Sequence, residues 1–123
     1  MKILILVAHG SRREESNDEV RELARVLDEH AIDYDNVIPG FLELAEPSIP
    51  SAIRIAANNG ANEIVVLPYF LSAGRHVVKD IPAEVESTRS ELPGIDIKIA
   101  PYLGIADGIA DFILKQATEV GDV

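Results

Sequence analysis

Two histidines and one carboxylate stand out by type and position. His9 ends the unbroken apolar run Ile3 to Ala8 and opens the charged turn Gly10-Ser11-Arg12-Arg13. His76 closes the loop Ser72-Ala73-Gly74-Arg75, after a second apolar run, Ile64 to Phe70. Glu43 follows a third apolar stretch, which ends at Leu42. Two neutral imidazoles and a carboxylate suit a divalent first-row metal such as Co²⁺, Ni²⁺, Fe²⁺ or Zn²⁺. They also suit proton transfer near neutral pH, where histidine titrates. A lone histidine after a strand is more often a hydrogen-bonded loop residue. What matters is whether the three groups share one site.

The surrounding elements answer that. Ile3 to Ala8 has no polar alternation and predicts a strand buried on both faces, as in a parallel sheet. Ser16-x-x-Glu19 has the form of a capping box and predicts a helix from near Ser16. Val20, Leu23, Ala24 and Leu27 give that helix an apolar stripe. His30, near its end, is expected to be a surface or capping residue. Asn36 to Leu42 predicts a second strand, and Pro39 inside it places the strand at an edge. Pro47-Ser48 opens a helix with Ile49, Ala52, Ile53 and Ala56 inward and Gly60 as its stop. Glu63 to Leu71 is a central strand. Asp80-Ile81-Pro82 predicts a capped helix start, with the helix running to about Leu92. Ile95 to Ala100 alternates and reads as an edge strand. A last helix, from about Ile105 to Val120, should turn Ile109, Phe112, Ile113 and Ala117 inward. Gly121 to Val123 is expected to fray. Phe41, Tyr69 and Phe70 are expected in the core.

The alternation of strands and helices gives an α/β fold: one domain over residues 1–123, with a four-stranded parallel sheet and helices on both faces. Apolar strands one and three belong at the centre. Right-handed crossovers then give the order 2-1-3-4. The direction of winding reverses between strands one and three, and ligand crevices form beyond the carboxyl ends of strands at such a switch point. His9 and His76 emerge there, with Glu43 next door.

Composition narrows the classes. Hydrophobic residues are 47% of the 123, enough for a sizeable core. No apolar run approaches the roughly 20 residues that cross a bilayer, and the N-terminal run lacks a cleavage site of the signal-peptide kind. No cysteine is present, so disulfides, thiolate metal sites, iron–sulfur ligation and a cysteine nucleophile are excluded. This composition fits a cytoplasmic protein best. A net charge of −10 argues against general nucleic-acid binding. Arg12, Arg13, Arg75 and Lys79 nevertheless flank the two histidines, four of the eleven Lys and Arg residues. A basic mouth on an acidic body suits a small anionic ligand.

Three blocks of sequence carry a resemblance. They are Val7-Ala8-His9-Gly10-Ser11-Arg12, Glu43-Leu44-Ala45-Glu46-Pro47-Ser48-Ile49, and Pro68 to His76 followed by Asp80-Ile81-Pro82. In order and spacing they resemble the sirohydrochlorin chelatases, the small cobaltochelatase and siroheme ferrochelatase group of the class II chelatases. The resemblance covers nearly the whole chain. It implies insertion of a divalent metal into sirohydrochlorin, a tetrapyrrole with eight carboxylates. It implies that His9 and His76 take the metal and help remove pyrrole protons, and that Glu43 relays protons or binds metal. Ser11, Arg12, Arg75 and Lys79 would hold substrate carboxylates, on charge and position. The metal (cobalt or iron ahead of nickel) would be a substrate, with no tightly bound cofactor. Long members of the group carry two such domains with a cleft between them, so this chain is expected to rebuild the cleft as a symmetric homodimer.

Two other readings compete. A phosphoryl-transfer enzyme could use His9 as nucleophile, but the arginine usual before such a histidine is Ala8 here. A non-catalytic metal or tetrapyrrole carrier on the same scaffold would bind without accelerating insertion.

Overall fold

The computed structural model describes residues 1–121; the fraying expected at positions 122 and 123 lies outside the described residues. Four strands, β1 (Lys2–Ala8), β2 (Asn36–Phe41), β3 (Glu63–Pro68) and β4 (Asp96–Ile99), pair in parallel in the order β2-β1-β3-β4. The expected topology is therefore the observed one. Registers such as Ile5 opposite Ile38 and Val66 place like apolar positions side by side.

Helix α1 (Glu14–His30) covers one face of the sheet, and α2 (Ile49–Asn58) and α3 (Ile81–Arg89) cover the other. On the α2–α3 side Ile3, Ile5, Val7, Ile64, Val66 and Ile97 meet Ile53, Ala56, Ile81 and Val85 in the main core. Side chains of this size contribute about 1.5–3 kcal/mol each when fully buried. On the α1 side Leu6, Ala24 and Val37 form a smaller cluster, with Val20, Leu23 and Leu27 packed against it. The stripe read from α1 is thus the face it buries. Phe41 is fully buried, as expected of a core residue. His30 is exposed and its Nδ1 meets the Val26 carbonyl at 2.8 Å.

Several expectations are corrected. Helix α1 begins at Glu14, with Arg13 as its N-cap and no side-chain cap, so Ser16 and Glu19 do not form a capping box. The chain enters the helix one turn earlier because Asn17, buried inside it, ties back to the preceding loop. Asp80 precedes α3 but makes no capping hydrogen bond, because its carboxylate is engaged by His76. Strand β3 stops at Pro68, and Tyr69 is exposed.

The largest correction concerns the last helix. It spans only Ile109–Ala117 (α4), follows a 3₁₀ turn at Leu103–Ile105, and buries none of its residues. Phe112 and Ile113, expected inward, are 61% and 56% exposed. The cause lies just upstream. Gly104 N–H donates to the Phe70 carbonyl, and a Cβ on Gly104 would lie 1.8 Å from the Leu71 carbonyl oxygen. This close approach moors the chain at the carboxyl end of β3, and α4 leaves from there, packing chiefly on the 3₁₀ turn. Val65 and Leu67, which face the α1 side from β3, stay only half-buried.

One carboxylate staples α1 to the start of β2. Asp28 Oδ1 accepts from Asn36 Nδ2 at 2.7 Å and from the Val37 N–H at 2.6 Å. The Asn36 amide, then the Val37 N–H, hold its carboxyl below its ordinary range. A lowered folded-state value stabilises the fold above the unfolded-state pKa of about 4 and loses that contribution as pH falls through the folded value. Asp28→Ala is expected to lower stability by about 1 kcal/mol at pH 7. In urea melts at successive pH values, its difference from wild type should shrink below about pH 4.

Candidate active site

The site begins where two strands end. Beyond the last β1–β2 pair, the Leu42 N–H donates to the Ala8 carbonyl and the Glu43 N–H to the His9 carbonyl, both at 3.0 Å. The two chains leave the sheet still in contact, which sets His9 beside Glu43. That contact requires glycine next. Gly10 has φ +96°, and a Cβ there would lie 1.7 Å from the Glu43 carbonyl oxygen. On the other side of β1, the Tyr69 N–H donates to the Val7 carbonyl at 2.7 Å and starts the loop that returns as His76.

Two side chains hold the flanking loops. Asn17 accepts from the Ser11 N–H at 2.9 Å and donates to the Ser11 carbonyl at 2.8 Å, imitating the missing strand partner of Ser11. Arg21 lies 5.2 Å from the centre of the Phe41 ring and donates to the Glu46 carbonyl at 2.9 Å. It thereby anchors the loop that carries Glu43. Sequence reasoning missed both roles. The signal for Asn17 was available: it is a polar residue in register with the apolar stripe of Val20, Ala24 and Leu27.

The two histidines meet as the topology predicts. Their ring centroids are 4.4 Å apart with planes inclined at 65°, an edge-to-face arrangement. His9 Nε2–H donates to Glu43 Oε1 at 3.0 Å, and His76 Nδ1–H donates to Asp80 Oδ2 at 2.9 Å. Ionised carboxylates only accept, so each partner marks which ring nitrogen carries the proton. The basic nitrogens left over are His9 Nδ1 and His76 Nε2. Both imidazoles are about 41% exposed, open to solvent and to a ligand. Among the described residues no three His, Asp or Glu side chains form a closed metal cage. The arrangement is two imidazoles, each backed by a carboxylate.

Leu42, Glu43, His76, Asp80, Ala83 and Glu84 line a depression of about 210 Å³. None of the cations that flank the histidines in sequence lines it. Arg12, Arg75 and Lys79 are exposed and, among the described residues, join no ion pair, whereas Arg13 pairs with Glu15. Ser11 Oγ accepts from the Arg13 N–H at 3.0 Å, so its hydroxyl is engaged within its own turn. A larger apolar groove of about 700 Å³ runs between α4 and the loop after β3, lined by Tyr69, Phe70, Leu71, Leu103, Phe112 and Ile113 among others. It contains neither histidine.

The fold and site define a parallel α/β protein with an open pair of carboxylate-backed imidazoles at its switch point, a set of groups whose chemistry suits metal ions or protons. The CbiX family model matches residues 3–120. The sirohydrochlorin cobaltochelatase of Sulfurisphaera tokodaii is 35% identical over 117 residues, 95% of this chain and 92% of that protein. The chloroplastic sirohydrochlorin ferrochelatase of Arabidopsis thaliana is 39% identical over 110 residues, 89% of this chain and 48% of that protein. Among solved structures, SirB from Bacillus subtilis with Fe³⁺ superposes with a TM-score of 0.86 at 26% identity, over 99% of this chain and 48% of that one. This chain belongs to the CbiX family of sirohydrochlorin chelatases. It spans about half the length of the Arabidopsis and Bacillus proteins.

The Gly10 contact is directly testable. Gly10→Ala must part the β1 and β2 ends, and is expected to cost more than about 2 kcal/mol in denaturant melts. It should also shift the His9 ring resonances in NMR spectra as the Glu43 hydrogen bond is lost.

Proposed function

We propose that this protein inserts a divalent first-row metal, Co²⁺ or Fe²⁺ ahead of Ni²⁺, into sirohydrochlorin. One observation carries the reading: two imidazoles in edge contact, each with a carboxylate behind it, at the switch point of a CbiX-family sheet. The phosphoryl-transfer and carrier readings have no comparable support.

Insertion exchanges the incoming metal for two pyrrole protons. His9 Nδ1 and His76 Nε2 are the basic atoms at the crevice, and either can replace metal-bound water or accept a pyrrole proton. When His9 Nδ1 takes a proton, the imidazolium lies 3.0 Å from Glu43, which stabilises the charge and offers the next acceptor for the Nε2 proton. Two neutral nitrogens in an open site suit an ion that must be handed on. A flat macrocycle hides its nitrogen lone pairs in the ring plane. A crevice that binds a bent macrocycle more tightly than a flat one would accelerate insertion by differential binding. Arg12, Arg75 and Lys79, exposed and unpaired among the described residues, are available to the eight carboxylates implied for the substrate; Ser11 offers its turn. The metal enters as a substrate, and the reaction needs no tightly bound cofactor. No helix among the described residues is long and apolar enough to cross a membrane. The cysteine-free composition supports a cytoplasmic setting.

The active form is a homodimer. The 210 Å³ depression at His76 is smaller than the roughly 300–1,000 Å³ of ordinary ligand pockets, so one chain offers only part of a tetrapyrrole cleft. The longer relatives have about twice this length, room for two such units. Helix α4 and the loop after β3 supply the surface for a second copy: Leu71, Phe112 and Ile113, each more than half exposed, line an apolar groove. Exposed apolar patches of this kind mark interaction surfaces.

Two measurements check these statements. In anaerobic absorbance assays with sirohydrochlorin and Co²⁺ or Fe²⁺, metal-dependent conversion should exceed the protein-free rate. His9→Ala and His76→Ala should each lower it at least 100-fold and Glu43→Gln about 10–100-fold, in line with losing an acid–base group. Binding without acceleration would select the carrier. In sedimentation runs the wild type should be dimeric and Phe112→Glu/Ile113→Glu monomeric, with intact secondary structure and lost insertion. A monomeric, active wild type would refute the shared cleft.

A further inference from the structure

Asp80 has no role in the mechanism above, and sequence reasoning assigned it only to capping α3. Its carboxylate caps nothing. It accepts from His76 Nδ1 at 2.9 Å, within a single π-helical turn, His76–Asp80, where the Ile81 N–H donates to the His76 carbonyl. Turns of this kind are rare and occur frequently at functional sites. Pro82 and Ile81 follow at once, and Ile81 is fully buried. The π-turn is therefore anchored in the core at one end while its other end holds His76 over the crevice.

From this geometry we propose that Asp80 is the positioning residue of the metal-insertion site: it fixes His76 in the Nδ1–H tautomer and aims Nε2 at the incoming metal. An unconstrained neutral histidine side chain prefers its proton on Nε2, which would hide the nitrogen needed. A carboxylate on Nδ1 reverses that preference, and the same hydrogen bond stops rotation of the ring. His9 is arranged the opposite way, with its Nε2–H on Glu43. The two rings consequently offer different nitrogens, Nδ1 from His9 and Nε2 from His76, across a 4.4 Å edge contact. The two carboxylates also differ in placement. Glu43 is 55% exposed and able to pass a proton on, whereas Asp80 sits four residues from its histidine on the same turn and is suited to hold it still.

The inference rests on the chelatase reading for its purpose, but its test does not. Long-range ¹H–¹⁵N spectra of ¹⁵N-histidine protein report the tautomer directly, with His76 assigned by the signals lost in His76→Asn. The wild type should show His76 with a protonated Nδ1 and a pyridine-like Nε2. Asp80→Ala should move the proton to Nε2 and weaken the binding of Co²⁺ alone about 10–100-fold. Asp80→Asn keeps an acceptor oxygen and should restore the wild-type tautomer, with Co²⁺ affinity between the other two. A purely structural role would lower the thermal midpoint of Asp80→Ala and leave the tautomer unchanged. That result, or an Asn variant indistinguishable from Ala in tautomer, overturns the proposal. If the tautomer changes as expected while wild-type protein fails to accelerate insertion, the chelatase reading falls and the role of Asp80 at His76 stands.

Discussion

The contact on which the site depends is a continuation of backbone pairing past the ends of two strands. Parallel β1 and β2 do not diverge at Ala8 and Phe41; two further hydrogen bonds keep them together through Glu43. That extension sets the His9 and Glu43 side chains within hydrogen-bond reach. It also leaves no room for a side chain at position 10, so the glycine after the histidine is a steric necessity. The loops on either side are then secured by side chains that answer backbone groups: Asn17 for Ser11, and Arg21 for Glu46. Polar groups released by a strand's end must find partners, and here those partners also define the crevice.

Rigidity is distributed unevenly. The β1–β3 centre of the sheet is buried on the α2–α3 side by large apolar side chains with no exposure. The chemistry sits at the solvent edge of that rigid layer, on side chains that are close to half exposed. Such a division suits catalysis in an α/β protein: a precise scaffold, with the ligand-facing groups on turns at its carboxyl edge. Helix α4 lies outside this arrangement. Its Phe112, Ile113 and Leu114 stay more than half exposed, and Val65 and Leu67 on the α1 side of β3 are only half-buried.

Much of this was legible in the chain of residues. Two uninterrupted apolar runs mark the two central strands, and Pro39 and the Asp96–Lys98 alternation mark edges. With right-handed crossovers, those facts leave little freedom in strand order, and order alone brings His9, His76 and Glu43 to one crevice. Periodicity identified the buried face of α1 because a stripe of four apolar positions has one energetically reasonable orientation.

The tertiary structure decided what local pattern cannot encode. The apolar stripe of α4 says that a face seeks burial, but not in which molecule; the Gly104–Leu71 contact, distant in sequence, carries that helix off the sheet. Asp80 before Ile81-Pro82 has the local form of a helix cap, yet a histidine four residues earlier competes for the same carboxylate and wins. Which nitrogen each imidazole presents follows from such pairings. Sequence determined that two histidines and a carboxylate share a site, because hydrophobic patterning fixes topology. Only the folded chain determined how they are aimed, because hydrogen-bond partners are chosen by distance and angle in space.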